Sequence, residues 1–426
     1  MAAPPVAPLK RESAFRRLTG ALGPGLITGA ADDDPSGVAT YSIVGAQFGT
    51  GLLWTALLTW PLMAAVQMMC ARIGMVTGEG LAGALRKKIP KPVLVAACVA
   101  LLLANTINIG ADLSGMADAA EMLTGFNSHY FVVLFGLGIT VATIRLRYVQ
   151  LAGTLKWLAL VLLTYVACAL YLGPDWGAVA HATFVPSLPK GRDGWAALVA
   201  ILGTTISPYL FFWQASQEVE EEKAIGRTAL VQRHGASTRE LADRRLDVGV
   251  GTFFSNLVMY FIILSTALTL NRHGIVKVET SHQVAAALRP LAGRLAEWLY
   301  TLGIVGVGLL AIPTLAGSAA YAFAETFGWR QGLDSKVHLA RAFYGVLMFA
   351  VVAGIGLDFA NVNPVKALFW TAVINGLLAP VLLVGVLIAA WDAALMRGQR
   401  SSKISFALVG ITTLVMAAAA VAMFAL

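Results

Sequence analysis

Six stretches of this chain, Leu52 to Ala71, Gly194 to Gln217, Val248 to Asn271, Trp298 to Ala324, Ala367 to Trp391 and Ile404 to Leu426, carry no charged side chain. Each is long enough to cross a hydrocarbon layer roughly 30 Å thick as a helix. The chain therefore belongs in a bilayer. Its composition agrees: 58% of the 426 residues are apolar and 13% charged, where soluble domains run to about half and about a quarter. Disorder, collagen, a coiled coil and a disulfide scaffold are excluded. The three cysteines, Cys70, Cys98 and Cys168, sit inside apolar runs and read as small buried hydrophobes.

Read by helix length, the apolar spans number eleven, at 18–48, 52–72, 93–117, 128–145, 153–173, 195–219, 248–271, 295–324, 341–358, 366–391 and 404–425. The formal net charge of +8 acquires its meaning from where the basic residues fall along this series. Segments on one side hold 24 of the 31 Lys and Arg residues, among them Arg72, Lys87, Lys88, Arg244, Arg245, Arg397 and Arg400. The positive-inside rule places that side, and the N-terminus, in the cytoplasm, and an odd number of spans then leaves the C-terminus outside. The expected setting is the plasma (inner) membrane. No soluble stretch interleaves aromatic and basic residues, so the charge is a topology signal and not a nucleic-acid footprint.

Residues 1–17 read as a short cytoplasmic tail and 220–247 as a cytoplasmic loop with some amphipathic helix. The six histidines fall in loops or at span ends. No His/Cys/Glu set has zinc spacing, and there is no P-loop or nucleophile elbow, which disfavours an enzyme. The informative residues are polar ones inside apolar spans. Asp32, Asp33 and Asp34 stand midway through the first span, and intramembrane acids are functional candidates by default. Pro35 lacks a backbone donor and biases Asp34 away from helical geometry, so the helix is expected to stop near Ala31 and restart after Gly37. The freed carbonyl of Ala31, with Asp34, would suit a cation. The sixth span carries a second proline break at Ser207-Pro208-Tyr209. Breaks in the first and sixth of eleven spans occupy equivalent places in two five-helix halves, the arrangement that points to a transporter's binding site.

The run Gly23-Pro24-Gly25 leading to Asp34-Pro35-Ser36-Gly37, then Gly45-Ala46-Gln47-Phe48-Gly49, resembles the first helix of the Nramp (natural resistance-associated macrophage protein) family of divalent metal transporters. Val76-Thr77-Gly78, Asp112-Leu113 and the segment Gly203 to Ser216 resemble later parts of the same family. The resemblance implies an all-α, LeuT-type fold: two inverted five-helix repeats, here 18–173 and 195–391, and an eleventh helix at 404–426, with alternating access about a midplane metal site. Carried over position by position, the family's metal aspartate falls on Asp34, its asparagine on Gly37, its methionine on Ser207 and its histidine on Tyr209. The second acid of its third-helix pair falls on Gly115.

Replacing a thioether by a hydroxyl makes the site harder, which favours Mg²⁺ or Mn²⁺ and likens the chain to Nramp-related magnesium transporters. The candidate metal residues are Asp34, Ala31, Gly37, Ser207, Tyr209, Asp33 and Asn375, with Asp112 and Asp32 as candidate proton or ion relays. No cofactor is expected beyond the transported cation, with protons as a further coupled species and lipid as the surroundings. Gln214 is expected to face the outer pathway, and Glu79, Glu297 and Glu325 to be interfacial. The competing readings are an organic-solute carrier of the same fold and a non-transporting sensor or scaffold.

Overall fold

The computed structural model describes residues 29, 31–145, 160–360 and 362–425. The expected tail at 1–17, most of the first half of the first span, and 153–159 of the fifth span lie outside the described residues. The long helices are α1 (Pro35–Phe48), α2 (Trp54–Thr77), α3 (Lys91–Thr124), α4 (Ser128–Arg145), α5 (Gly191–Thr205), α6 (Pro208–Ala224), α7 (Thr238–Thr269), α8 (Ala296–Phe327), α9 (Arg341–Asp358), α10 (Pro364–Trp391) and α11 (Lys403–Ala425). Among the described residues there are nine spans long and apolar enough to cross a membrane, with α5 and α6 counted together as one. They correspond to the second to fourth and sixth to eleventh spans read from sequence; α1 is the second half of the first.

The packing places α3 at the centre, against α8, α9 and α10. Around it, α1 packs on α7 and α6 packs on α2, so the two broken spans each lean on the helix that follows the other break. Small residues set these distances. A Cβ at Gly45 would lie 2.0 Å from the Thr266 hydroxyl, so only glycine lets α1 approach α7 this closely. A Cβ at Gly203 would lie 2.1 Å from the Ala372 carbonyl, which similarly brings α5 onto α10.

The structure narrows the loop expected at 220–247. Helix α6 runs on to Ala224 and α7 begins at Thr238, capped by Ser237 and Glu240 in a reciprocal box. These charged ends stay helical because their charges are paired. Buried Arg244 of α7 reaches Glu218 at 2.8 Å, Asp247 at 2.5 Å, and Glu221. Gln214 donates to Glu218 at 2.7 Å, so it faces this network and not the outer pathway.

Candidate functional site

At the first break the described helical residues end at Asp32, and α1 restarts at Pro35, three residues earlier than the restart after Gly37 expected from sequence. Proline is at home in the first turn, where its missing N–H is not needed. Asp34 is the N-cap: its Oδ1 accepts from the Gly37 N–H and the Ser36 hydroxyl, each at 2.7 Å. Gly37 thus contributes an N–H and no side-chain oxygen. A Cβ there would lie 3.0 Å from the Thr204 hydroxyl, which leaves little room for the asparagine that the family resemblance expects.

The second break falls between Thr205 and Pro208, with Ser207 as N-cap of α6. The Ser207 hydroxyl turns back to the carbonyls of Gly203 and Thr204, at 2.9 and 2.8 Å, and so serves the end of α5. Tyr209 joins the two breaks directly, its hydroxyl donating to the Ala31 carbonyl at 3.0 Å. That carbonyl keeps a second lone pair.

Helix α3 completes one side of the site. Asn108 donates to Asp34 Oδ2 at 3.2 Å and to Asp112 Oδ2 at 3.0 Å, and accepts from Asn375 of α10 at 3.1 Å. Asn375 is therefore two hydrogen bonds from Asp34, through Asn108. Asn108 is not among the candidate metal residues, although Asn105, Asn108 and Asp112 recur at three- and four-residue spacing, which puts them on one helical face. Gly115, one turn on, abuts Leu368 of α10, and no acid stands there.

Asp32 and Asp33 turn the other way. Ser255 of α7 donates to Asp32 Oδ2 at 2.7 Å and approaches Asp33 Oδ1 at 3.2 Å. Asp32, Asp34 and Asp112 are 0–1% exposed and Asp33 is 5% exposed. No described Lys or Arg forms an ion pair with any of the four. Among the described residues no three His, Cys, Asp or Glu side chains gather as a ready-made metal site. What converges is carboxylate, hydroxyl, amide and carbonyl oxygen.

A cavity of about 730 Å³ opens beside α1, α5 and α10, bordered by Ile43, Gln47, Arg192, Lys366 and Trp370. Ile43 is nine residues beyond Asp34, about 13 Å along a helix, and Asp34 does not line this cavity. Between Asp34 and Ile43 on α1, Val38 and Tyr41 are fully buried. Glu325, expected near the interface, is instead buried, accepting from the Gly83 N–H at 3.0 Å and from Ser216 of α6 at 3.1 Å. It ties α8 to α6.

Among the described residues, two facing helix breaks around a buried carboxylate with no basic partner, in a helical membrane bundle, define a LeuT-type secondary-transporter fold. The chain aligns with the manganese transporter of Eremococcus coleocola at a TM-score of 0.75 and 15% identity, covering 97% of this chain and 87% of that one. The family model for natural resistance-associated macrophage protein-like proteins matches residues 25–426, and the chain belongs to that family, Nramp. It is 28% identical to the divalent metal cation transporter MntH of Yersinia pestis (strain Pestoides F), over 70% of this chain and 71% of the relative. It is 27% identical to the protein of the same name from Aeromonas hydrophila, over 90% of each.

Proposed function

We propose that this protein carries a hard divalent cation, Mg²⁺ or Mn²⁺, through the membrane by alternating access, and that the ion binds at Asp34 between the two breaks. The observation that carries this reading is Asp34 itself, a carboxylate buried in an apolar bundle with amide and hydroxyl donors but no basic partner among the described residues. An unpaired buried carboxylate is costly, and an arriving cation removes that cost. The Ala31 carbonyl supplies the next oxygen, with Tyr209 holding it in place. Ser207 shapes the end of α5, and Gly37 lets the two half-helices approach. Asn108 and Asn375 orient Asp34, while Asp112 adds negative charge.

Oxygen donors without a thioether or thiolate favour hard ions, and Mg²⁺ is commonly held by one or two carboxylates while keeping several waters. Membership of a family whose relatives include proteins named divalent metal cation transporters supports the substrate class. The basic residues gathered at one end of the bundle support a cytoplasmic N-terminus: Lys88 pairs with Asp392, and Arg233 donates to the Gly78 carbonyl at 3.1 Å. With Gly115 in place of a second acid, Asp112 acts with Asn108 in ion binding and not as half of a proton-relay pair. In proteoliposomes, Asp34→Ala is expected to abolish Mg²⁺ and Mn²⁺ uptake while the purified protein keeps its helical circular dichroism. Undiminished uptake would remove the site.

A further inference from the structure

Basic side chains converge at one place away from the helix breaks. A cavity of about 260 Å³ is lined by Thr77 at the end of α2, Lys87 and Lys88 before α3, His234 between α6 and α7, and Arg397 between α10 and α11. Among the described residues no Asp or Glu lines it. The positive-inside rule accounts for the side on which such residues lie. It does not account for their convergence, because like charges that only mark topology gain by spreading apart. The segments that carry them are tied to one another. Gly235 donates its N–H to the Val76 carbonyl at 2.9 Å, and Gln399 exchanges hydrogen bonds with the Ala236 backbone at 2.8 and 3.0 Å. Lys88 pairs with Asp392, which begins the α10–α11 segment.

Two of these basic side chains are left over. Lys87 pairs with Glu79 and Lys88 with Asp392, whereas neither Arg397 nor His234 forms an ion pair or a side-chain hydrogen bond with a described residue. Arg397 also holds a backbone φ of 48°, in the left-handed region, a strain that persists where the surrounding structure fixes a side chain's position. Desolvation and the charges of Arg397 and Lys87 push the His234 pKa down, the direction expected where positive charge is uncompensated. We propose that Lys87, Lys88, His234 and Arg397 form an anion site that takes one phosphate group, either free or carried by a lipid headgroup. An arginine fork and lysine ammonium groups are the donors that suit phosphate oxygens. The volume lies below the roughly 300 Å³ at which pockets for drug-sized ligands begin, which fits a phosphate group and not a whole nucleotide. The site shares no residue with either break and stands independently of the Asp34 reading.

The test is titration of the purified full chain, in neutral detergent at low salt, with a short-chain phosphatidylglycerol and separately with inorganic phosphate, read by calorimetry and by native mass spectrometry. The expected result is saturable binding of at least one probe, with an affinity that falls by about 10-fold or more in Arg397→Gln and in the Lys87→Gln/Lys88→Gln double variant. Arg272→Gln, which removes an exposed cation just after α7, is expected to leave it unchanged. Helical circular dichroism checks that each variant is folded. Saturation by phosphatidylglycerol alone assigns the phosphate to a lipid, and saturation by inorganic phosphate assigns a site open to the free anion. Binding of neither probe, or binding as tight in Arg397→Gln and the double variant as in the unaltered chain, would overturn the site.

Discussion

Two clusters of acids in this molecule have different chemistry. Where α6 meets α7, buried Glu218 and Asp247 and exposed Glu221 surround Arg244, a cation supplied by the protein itself. At the centre, Asp32, Asp33, Asp34 and Asp112 have hydrogen-bond donors but no described basic partner. The Arg244 cluster is complete as folded and holds α6 to α7. The central cluster has no counter-charge among the described residues, and this is the ground for proposing it as the place where the cargo sits. Burial of acids alone does not separate structure from function; the presence or absence of a built-in cation does.

The largest effect expected from breaking this contrast is at Asp34, where Asp34→Ala is to reduce ion uptake to background with little change in thermal stability. Arg244→Ala should do the reverse, destabilising the fold by about 3–5 kcal/mol because the buried carboxylates of Glu218 and Asp247 lose this cation. Thermal unfolding in detergent checks it, and adding Asp247→Asn is expected to restore part of the loss. Asn108→Ala should weaken ion binding by about 10- to 100-fold, since it orients both Asp34 and Asp112 without carrying charge. Tyr209→Phe deletes the hydroxyl on the Ala31 carbonyl, a loss of about 1 kcal/mol and hence a several-fold rise in KM for uptake. The smallest change is one of preference. Ser207→Met introduces a soft ligand at the second break and is expected to raise Cd²⁺ uptake relative to Mn²⁺ by a few-fold, measured in competition.

Much of this was legible before any coordinates. Apolar length placed the spans, because backbone satisfaction in lipid leaves helices little alternative. Pro35 and Pro208 marked both breaks, because a missing N–H acts locally and is visible in sequence. What sequence left open was pairing across helices. Asn108 became a site residue only when Asp34 was seen within its reach, and the triplet 32–34 divided only when Ser255, more than two hundred positions away, was found on its other side. The same holds for Gln214 and Glu325: position along a span suggested a pathway for one and an interface for the other, whereas neighbours on α6, α7 and α8 made them parts of the inner packing. The restart at Pro35 was misjudged because proline was read as a breaker and not as the first residue of a new helix.

The most direct test is anomalous diffraction from crystals of this protein grown with Mn²⁺. The account predicts a manganese peak between the two breaks, within reach of the Asp34 carboxylate and the Ala31 carbonyl, that vanishes from that position in Asp34→Asn. Manganese bound only at the exposed ends of the bundle, with the break empty, would contradict it.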